Sequence, residues 1–188
     1  MRVFGIDPGS VRTGYGCIDT DGRRHQLIAC GAISCPPRAT LADRLAQIHH
    51  TLRDLIASAH PDCIAIENLF HARNVKSALV LGHARGVAVL AAVQAGVPIV
   101  EYTPAAIKSA IVGYGRADKR QMQQMVKLLL GLDAPPAPHD AADALAVAIC
   151  HVQASGPIAR LAAGAARPGL PRSWRQMTPE QLARRQAP

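Results

Sequence analysis

The apolar and polar positions at the start of the chain fall into short runs that are typical of β-strands. A mostly apolar run at 2–6 predicts a buried first strand, and residues 14–20 and 24–34 predict a second and a third. Asp21 and Gly22 between these two runs are typical of a tight turn, which makes the second and third strands an antiparallel pair. The chain is therefore predicted to open with three strands in succession.

Helical and extended segments alternate after this opening. Apolar residues that recur every three or four positions predict a helix that Thr40 caps, followed by a short buried strand at 62–67. Asn74 is expected to cap a second, longer helix that Gly96 ends, and residues 97–102 predict a fifth strand. The apolar stripe of the first helix comprises Leu41, Leu45, Ile48, Leu52 and Leu55.

Three helices are predicted after the fifth strand. Thr103 as cap and Pro104 at the first helical position open a short one, and residues 118–130 form the next. The proline-rich stretch 134–138 precedes a last helix at 139–153. This order of elements predicts an α/β fold with a mixed five-stranded sheet flanked by helices. The predicted inward positions of the 118–130 helix are Met122, Met125, Val126 and Leu129.

Length and charge divide the chain into two parts. The 188 residues suffice for one domain with a substantial core, to which we assign residues 1–156. Residues 157–188 are rich in Ala, Gly, Pro and Arg without a steady period, and are predicted to form a basic, mobile tail. This tail has six Arg against Glu180 alone, so it carries +5 of the formal net charge of +8. The basic excess favours a polyanionic partner without identifying one.

The cysteines and histidines argue against a disulfide scaffold and against a zinc site. The five cysteines include no C-x-x-C pair, and none of the eight histidines lies in an H-E-x-x-H arrangement. Such thiols are typical of reduced, mostly buried cysteines. No apolar run is expected to approach the ~20 residues of a membrane span, and the N-terminus has no signal-peptide pattern. A soluble, cytoplasmic protein that does not contact membranes is therefore predicted.

A carboxylate ends the first predicted strand. Asp7 lies where the apolar run stops, and Pro8 and Gly9 then turn the chain. A charged group at the end of a buried strand needs a cation or a hydrogen-bond donor to offset its desolvation, although an aspartate that caps its own turn is a simpler explanation for an isolated motif. Glu67 ends the fourth strand in the same way. Ligand sites of open α/β sheets lie beyond such strand ends.

Two further carboxylates stand at the start of the last predicted helix. The i, i+3 spacing of Asp140 and Asp143 places both on one face of its first turn. If they meet Asp7 and Glu67, the repulsion requires raised pKa values or divalent cations. Oxygen ligands favour Mg²⁺ or Mn²⁺, and four carboxylates suit two ions about 3.5–4 Å apart, as used for phosphodiester cleavage. An interaction with the helix dipole is the alternative, and it explains Asp140 better than Asp143.

These carboxylates lie within a series of short motifs. The motifs are Gly5-Ile6-Asp7-Pro8-Gly9-Ser10, Thr13-Gly14-Tyr15-Gly16, Ala65-Ile66-Glu67, Ser77-Ala78-Leu79, Ala84-Arg85-Gly86-Val87-Ala88 and Asp140-Ala141-Ala142-Asp143-Ala144-Leu145-Ala146. Over residues 1 to about 153, their order and spacing resemble RuvC-type Holliday-junction resolvases. The resemblance implies a ribonuclease-H-like fold, a homodimer, and symmetrical nicking of four-way DNA junctions in recombination and repair. It also implies two Mg²⁺ per subunit, with Mn²⁺ as a substitute, and a branch-migration helicase complex as partner. The catalytic and metal-binding carboxylates of the family fall on Asp7, Glu67, Asp140 and Asp143.

The same resemblance implies contacts with DNA. Phe70 corresponds to an aromatic residue that stacks on a base near the crossover, whereas a ring tucked beneath its own loop is the alternative. Lys108 and Lys119 match basic positions near the scissile phosphate, although isolated lysines are usually solvated helix charges. His139 is interpreted as a neighbour of the site rather than a ligand. Further predicted phosphate contacts are Arg73, Lys76, Arg85, Arg116 and Arg120, and Tyr114 matches no fixed residue of the family.

The second long helix is apolar almost all round in its later part. Such a helix in a small domain lies either in the core or against another subunit, and Gly82 and Gly86 permit a close approach of backbones. We interpret one face as core and one as a homodimer interface, with a core-only helix as the alternative.

Three other functions fit parts of the pattern. A phosphate-binding module of the actin/Hsp70 ATPase type also begins with an Asp-x-Gly hairpin, but it needs a second hairpin and an adenosine site for which this chain is too short. A ribonuclease-H-like nuclease that acts on RNA shares the fold and the metals. A basic DNA-binding scaffold without catalysis is the third.

Overall fold

A computed structural model of the chain describes residues 1–68, 74–115 and 117–156. The predicted order of strands and helices is confirmed in these ranges. The predicted tail and three predicted DNA contacts, Phe70, Arg73 and Arg116, lie outside the described residues. The strands are β1 (Arg2–Asp7), β2 (Arg12–Thr20), β3 (His25–Ser34), β4 (Cys63–Glu67) and β5 (Ile99–Tyr102). The helices are α1 (Leu41–Ala59), α2 (Val75–Gln94), α3 (Pro104–Val112), α4 (Lys119–Leu130) and α5 (His139–Ser155).

The strands form one mixed five-stranded sheet in the order β3-β2-β1-β4-β5. β1 is antiparallel to β2 and parallel to β4, and β4 is parallel to β5. Because Ile6 lies opposite Ile66 in the parallel pair, the residues that follow them emerge side by side at one edge. The predicted α/β class and mixed sheet are therefore confirmed.

Local capping explains where the helices begin. Thr40 and Asp43 form a capping box at α1, and Asn74 accepts a hydrogen bond from the backbone N–H of Ser77 at α2. Thr103 caps α3, with Pro104 in its first turn. The ends of α3 and α4 follow from glycines in the left-handed region, since Gly113 has φ 86° and Gly131 has φ 62°.

Helices cover both faces of the sheet. α3, α4 and α5 pack on the face that presents Val3 and Ile18, and α1 and α2 pack on the face that presents Phe4 and Ile6. In both α1 and α4, one buried apolar residue lies one position after the residue that was predicted to point inward. In α1, Ile56 is buried and the predicted Leu55 only partly so; in α4, Leu130 is buried and the predicted Leu129 only partly so.

α5 lies directly on the sheet because three glycines remove the side chains that would hold it away. A Cβ atom at Gly5 would overlap the carbonyl oxygen of Ala144, and one at Gly14 would overlap that of Asp140. At Gly16 an added Cβ would meet the side chain of Leu145 at 2.6 Å. These contacts fix the first turn of α5 against β2.

α2 is buried on one face only. Ala84, Ala88, Ala91 and Ala92 are buried, whereas the side chains on its other face are exposed. The expectation that no segment is long and apolar enough for a membrane span is wrong for α2, which meets that test by length and composition alone. Helices packed in the cores or interfaces of globular proteins meet the same test. The exposed apolar residues of α2 are Val75, Leu79, Leu90 and Val93.

Candidate active site

Asp7 and Glu67 meet at the edge where β1 and β4 end. Each is the last residue of its strand, and the parallel register brings their side chains within hydrogen-bonding reach. Burial together with the negative charges of Glu67 and Asp143 raises the pKa of Asp7 well above its usual value. Burial also raises the pKa of Glu67, although its hydrogen bond with Asp7 opposes that rise. In the metal-free protein the pair is therefore expected to bind protons more tightly than isolated carboxyls do.

Asp143 faces the same position from the first turn of α5. Together with Asp7 and Glu67 it lines a cavity of about 270 Å³. Burial raises the pKa of Asp143, although the Nζ atom of Lys119, 3.6 Å from its Oδ2 atom, opposes this rise. Apolar side chains also line this cavity, and such low-polarity surroundings strengthen the electrostatic interactions inside it. Its apolar lining consists of Pro104, Ile107, Met122 and Ala146.

Asp140 lies beside this cavity without lining it. Its Oδ2 atom is 3.4 Å from the Nη1 atom of Arg12, at the start of β2. Its negative charge still contributes to the raised pKa of Asp7. The i, i+3 spacing thus places the two aspartates of α5 at the end of β1, one toward the cavity and one toward β2.

The structure therefore brings Asp7, Glu67 and Asp143 into one cavity, with Asp140 at its margin. Within residues 1–68, 74–115 and 117–156, no three Asp, Glu, His or Cys side chains are close enough to hold a metal ion as they stand. The chemistry of the donors nevertheless fits a divalent cation, because all four are carboxylates and three of them have raised pKa values. The assignment of these four residues as ligands stays a prediction.

The predicted cationic residues occupy different positions. Lys108 and Lys119 both line the cavity, so two of the predicted DNA contacts stand next to the carboxylates. Lys76 and Arg120 are exposed, near the starts of α2 and α4. Arg85 forms an ion pair with Glu101 of β5 instead of pointing freely outward.

His139 and Tyr114, to which the sequence analysis assigned no catalytic role, each contact a side chain of α4. The ring of His139 contacts the side-chain amide of the buried Gln123, on α4. The hydroxyl of Tyr114 donates to Gln121 at 3.1 Å. Both contacts join α4 to the segments before and after it, and neither residue lines the carboxylate cavity.

Sequence reasoning missed the partners of these charges. Nothing in the spacing of Arg12 and Asp140, or of Arg85 and Glu101, signals a contact across such distances in the chain. The glycines under α5 carried a usable signal, since isolated glycines within strands often mark a close backbone approach.

A larger groove of about 690 Å³ lies at the opposite edge of the sheet. Asp19, Asp21, His25 and Leu130 are among its lining residues. It brings together no group of carboxylates comparable to the one at the ends of β1 and β4, so the carboxylate cavity is the candidate active site.

Comparison with known proteins places this arrangement in a family context. Residues 3–151 match the family described as Crossover junction endodeoxyribonuclease RuvC. A protein of that name from Chloroflexus aggregans is 52% identical over 151 residues, which cover 80% of this chain and 92% of the relative. Another, from Caldanaerobacter subterraneus subsp. tengcongensis, is 47% identical over 164 residues, or 87% of this chain and 99% of the relative.

A solved structure supports the same relationship. Thermus thermophilus RuvC in complex with a Holliday junction substrate has a TM-score of 0.76 and 31% identity. The similarity covers 86% of this chain and 96% of the relative. The family match over residues 3–151 spans the positions of all four carboxylates of the candidate site.

Proposed function

Because the chain belongs to the RuvC family of crossover junction endodeoxyribonucleases, we propose that it resolves four-way DNA junctions by nicking two opposite strands. It is a nuclease of recombination and repair. The observation that carries the proposal is the set of three carboxylates in one cavity beside two lysines, at the ends of the parallel strands. Carboxylates alone would repel a phosphodiester, and the adjacent lysines offset that repulsion.

We further propose that Asp7, Glu67, Asp140 and Asp143 hold two Mg²⁺ ions, with Mn²⁺ as a substitute. When bound, such ions supply positive charge that favours both attack of water on the phosphate and departure of the 3′ oxygen. Binding would require Asp7 and Glu67 to be deprotonated, and Asp143 to exchange its contact with Lys119 for one with the metal ion. A bound cation opposes the burial and the repulsion that raise these pKa values, so metal binding is expected to release protons from the site.

Lys108 and Lys119 are proposed to contact the phosphate that is cut. Both line the cavity, and Lys119 is within 3.6 Å of Asp143 while its side chain is 80% exposed. An exposed ammonium group that already stands beside the carboxylates can bind an incoming phosphate oxygen without crossing the core. Symmetrical nicks with 5′-phosphate and 3′-hydroxyl ends would leave a product that a ligase seals.

Contacts farther from the cleaved phosphate are also part of the proposal. Phe70 is proposed to stack on a base near the crossover, and Arg73, Lys76 and Arg116 to contact phosphates. A branch-migration helicase complex as partner and a cytoplasmic location remain proposals that rest on the family resemblance.

The substrate experiment compares a synthetic four-way junction with a linear duplex, an RNA hairpin and ATP, each with and without Mg²⁺. We expect paired, symmetrical nicks in the junction only, and only with the cation. Preferred cleavage of the RNA hairpin would favour the ribonuclease interpretation, and hydrolysis of ATP would favour the ATPase one. Junction binding without cleavage under all conditions would favour a non-catalytic scaffold.

The exposed face of α2 is proposed to form a homodimer that presents two sites to one junction. Leu79, Leu90 and Val93 are 60%, 48% and 60% exposed on this helix. Gly82 and Gly86 on the same helix have no atom of the chain's described part within 4 Å of an added Cβ, which leaves room for a second backbone. This favours the interface over the core-only alternative.

Leu79→Glu is expected to convert the protein to a monomer, because a charge would be buried in the apolar interface. The monomer should nick one strand without its symmetrical counterpart, as measured by light scattering and by mapping both cuts on a cruciform plasmid. Leu128→Glu on α4, where Leu128 is 69% exposed, is the matched control and should stay dimeric. A Leu79→Glu protein that remains a dimer with paired cuts would contradict the interface.

A further inference from the structure

A chain of polar contacts connects α2 to the residue that follows Glu67. The guanidinium of Arg85 donates from Nη2 to Oε1 of Glu101, on β5. The other oxygen of that carboxylate, Oε2, accepts a hydrogen bond from Nδ2 of Asn68 at 3.3 Å. α2, β5 and the end of β4 are therefore connected through Glu101.

Asn68 is held through its backbone as well. Its N–H group donates to the carbonyl oxygen of Tyr102 at 2.7 Å, which extends the pairing of β4 and β5 by one residue beyond Glu67. The residue after Glu67 thus has two restraints, one on its main chain and one on its side chain. Together they limit the backbone rotations that would turn the carboxylate of Glu67 out of the cavity.

Arg85 already has a carboxylate partner within the chain, unlike an arginine whose guanidinium is free to bind a phosphate. The side chains of Arg85 and Glu101 are 32% and 33% exposed, so the ion pair is partly buried. An ion pair of this burial orients each partner more firmly than an exposed pair does.

We propose that Arg85 and Glu101 are positioning residues for cleavage: they hold Asn68, and through it Glu67, in the orientation that the reaction needs. The proposal rests on the proposed function and adds to it, since neither residue lines the carboxylate cavity. It is an alternative to the prediction that Arg85 contacts a DNA phosphate, and the experiment below distinguishes the two.

The test uses Arg85→Gln, Glu101→Gln and the double variant in the full-length protein. Groups that orient a metal ligand typically change activity 10- to 100-fold. We expect each single variant to lower the junction cleavage rate about 10-fold or more at saturating DNA, with junction affinity within about twofold of wild type. The double variant should be no slower than the slower single one, because both act through one pathway.

A second readout does not depend on cleavage. Hydrogen exchange of the Asn68 amide in the metal-free protein should become faster in both single variants, since its bond to Tyr102 loses support. Circular dichroism below the unfolding transition checks that each variant is folded. Arg85→Lys retains the charge but not the forked geometry, and it should restore exchange protection and cleavage in part.

Lys76→Gln serves as the matched control for a phosphate contact, because Lys76 is exposed on the same helix. It should weaken junction binding and reduce the slope of log affinity against log salt by about one. If Arg85→Gln behaves like this control while Glu101→Gln does not, Arg85 is a phosphate contact and the proposal is wrong. Unchanged exchange at Asn68 in both variants overturns it as well. If the wild-type protein fails to cleave junctions, the proposed function fails, and the exchange measurement still decides whether the positioning exists.

Discussion

Asp7→Asn is expected to lower junction cleavage by at least about 10²- to 10³-fold while junction binding stays near the wild-type level. The substitution keeps the size of the side chain but removes the most buried charge of the candidate site. Cleavage is measured on a labelled four-way junction in Mg²⁺, and binding on the same junction in Ca²⁺ or without cation. A parallel loss of binding and cleavage would contradict a role in metal chemistry, because it would mean that the fold or the DNA surface had changed.

The same variant should be more stable than the wild type when no metal is present. An acid whose pKa is higher in the folded than in the unfolded chain binds its proton more tightly when folded, so the free energy of unfolding falls as the pH rises from the unfolded pKa through the folded one. Asp7, Glu67 and Asp143 all have raised pKa values. Their charges therefore destabilise the metal-free protein at neutral pH.

Thermal unfolding in EDTA measures this difference. Asp7→Asn should raise the Tm at pH 7, and the gain should shrink as the pH falls toward about 4, where an unfolded aspartate also becomes protonated. Mg²⁺ should raise the Tm of the wild type and have little effect on the variant. Asp133→Asn is the control, because Asp133 is exposed on the segment after α4, away from the cavity. An Asp7→Asn protein that is less stable at pH 7 in EDTA would contradict the account of the acidic cavity.

Gly14→Ala is expected to damage both the fold and the reaction. A Cβ atom at this position would overlap the carbonyl oxygen of Asp140, and backbone atoms cannot move aside as a flexible side chain does. Overpacking of this kind costs about 1–3 kcal/mol, and more where backbone must shift. The first turn of α5 would move away from β2 and take its two aspartates with it. Since a shift of about 1 Å can reduce a rate 10²-fold, cleavage should fall by about that factor even in the folded fraction.

Urea unfolding and single-turnover cleavage separate these two effects. Gly115→Ala is the matched control: its nearest neighbour, the hydroxyl of Ser109, would lie 3.8 Å from the new methyl group. Its stability should change by no more than about 0.5 kcal/mol. A Gly14→Ala protein with wild-type stability and rate would show that α5 does not need its close contact with the sheet.

The features of this fold that depend on neighbouring residues could be predicted from the sequence. Caps such as Thr40 and Asn74 act within a few residues, and the i, i+3 spacing of Asp140 and Asp143 depends only on helix geometry. The meeting of Asp7 with Glu67 could be inferred because residues that end adjacent parallel strands emerge at one edge. These features follow from short-range rules.

The features that could not be predicted are contacts between residues far apart in the chain. The pairing of Arg85 with Glu101 joins a helix to an edge strand, and no periodicity encodes it. The contact of Arg12 with Asp140 spans the chain from β2 to α5, so no local pattern predicts this partner for Asp140. The one-residue offset in the stripes of α1 and α4 is also a tertiary feature, because packing against the sheet decides which side of a broad apolar stripe is buried.

Diffraction from crystals soaked in Mn²⁺ measures the central feature most directly, since the anomalous signal locates the ion among the carboxylates. We expect ion density contacted by oxygen atoms of Asp7 and Glu67, with Asp140 and Asp143 turned toward it and the hydrogen bond between the first two broken. A cavity that stays empty at saturating Mn²⁺, with Asp7 and Glu67 still in contact with each other, would contradict the assignment.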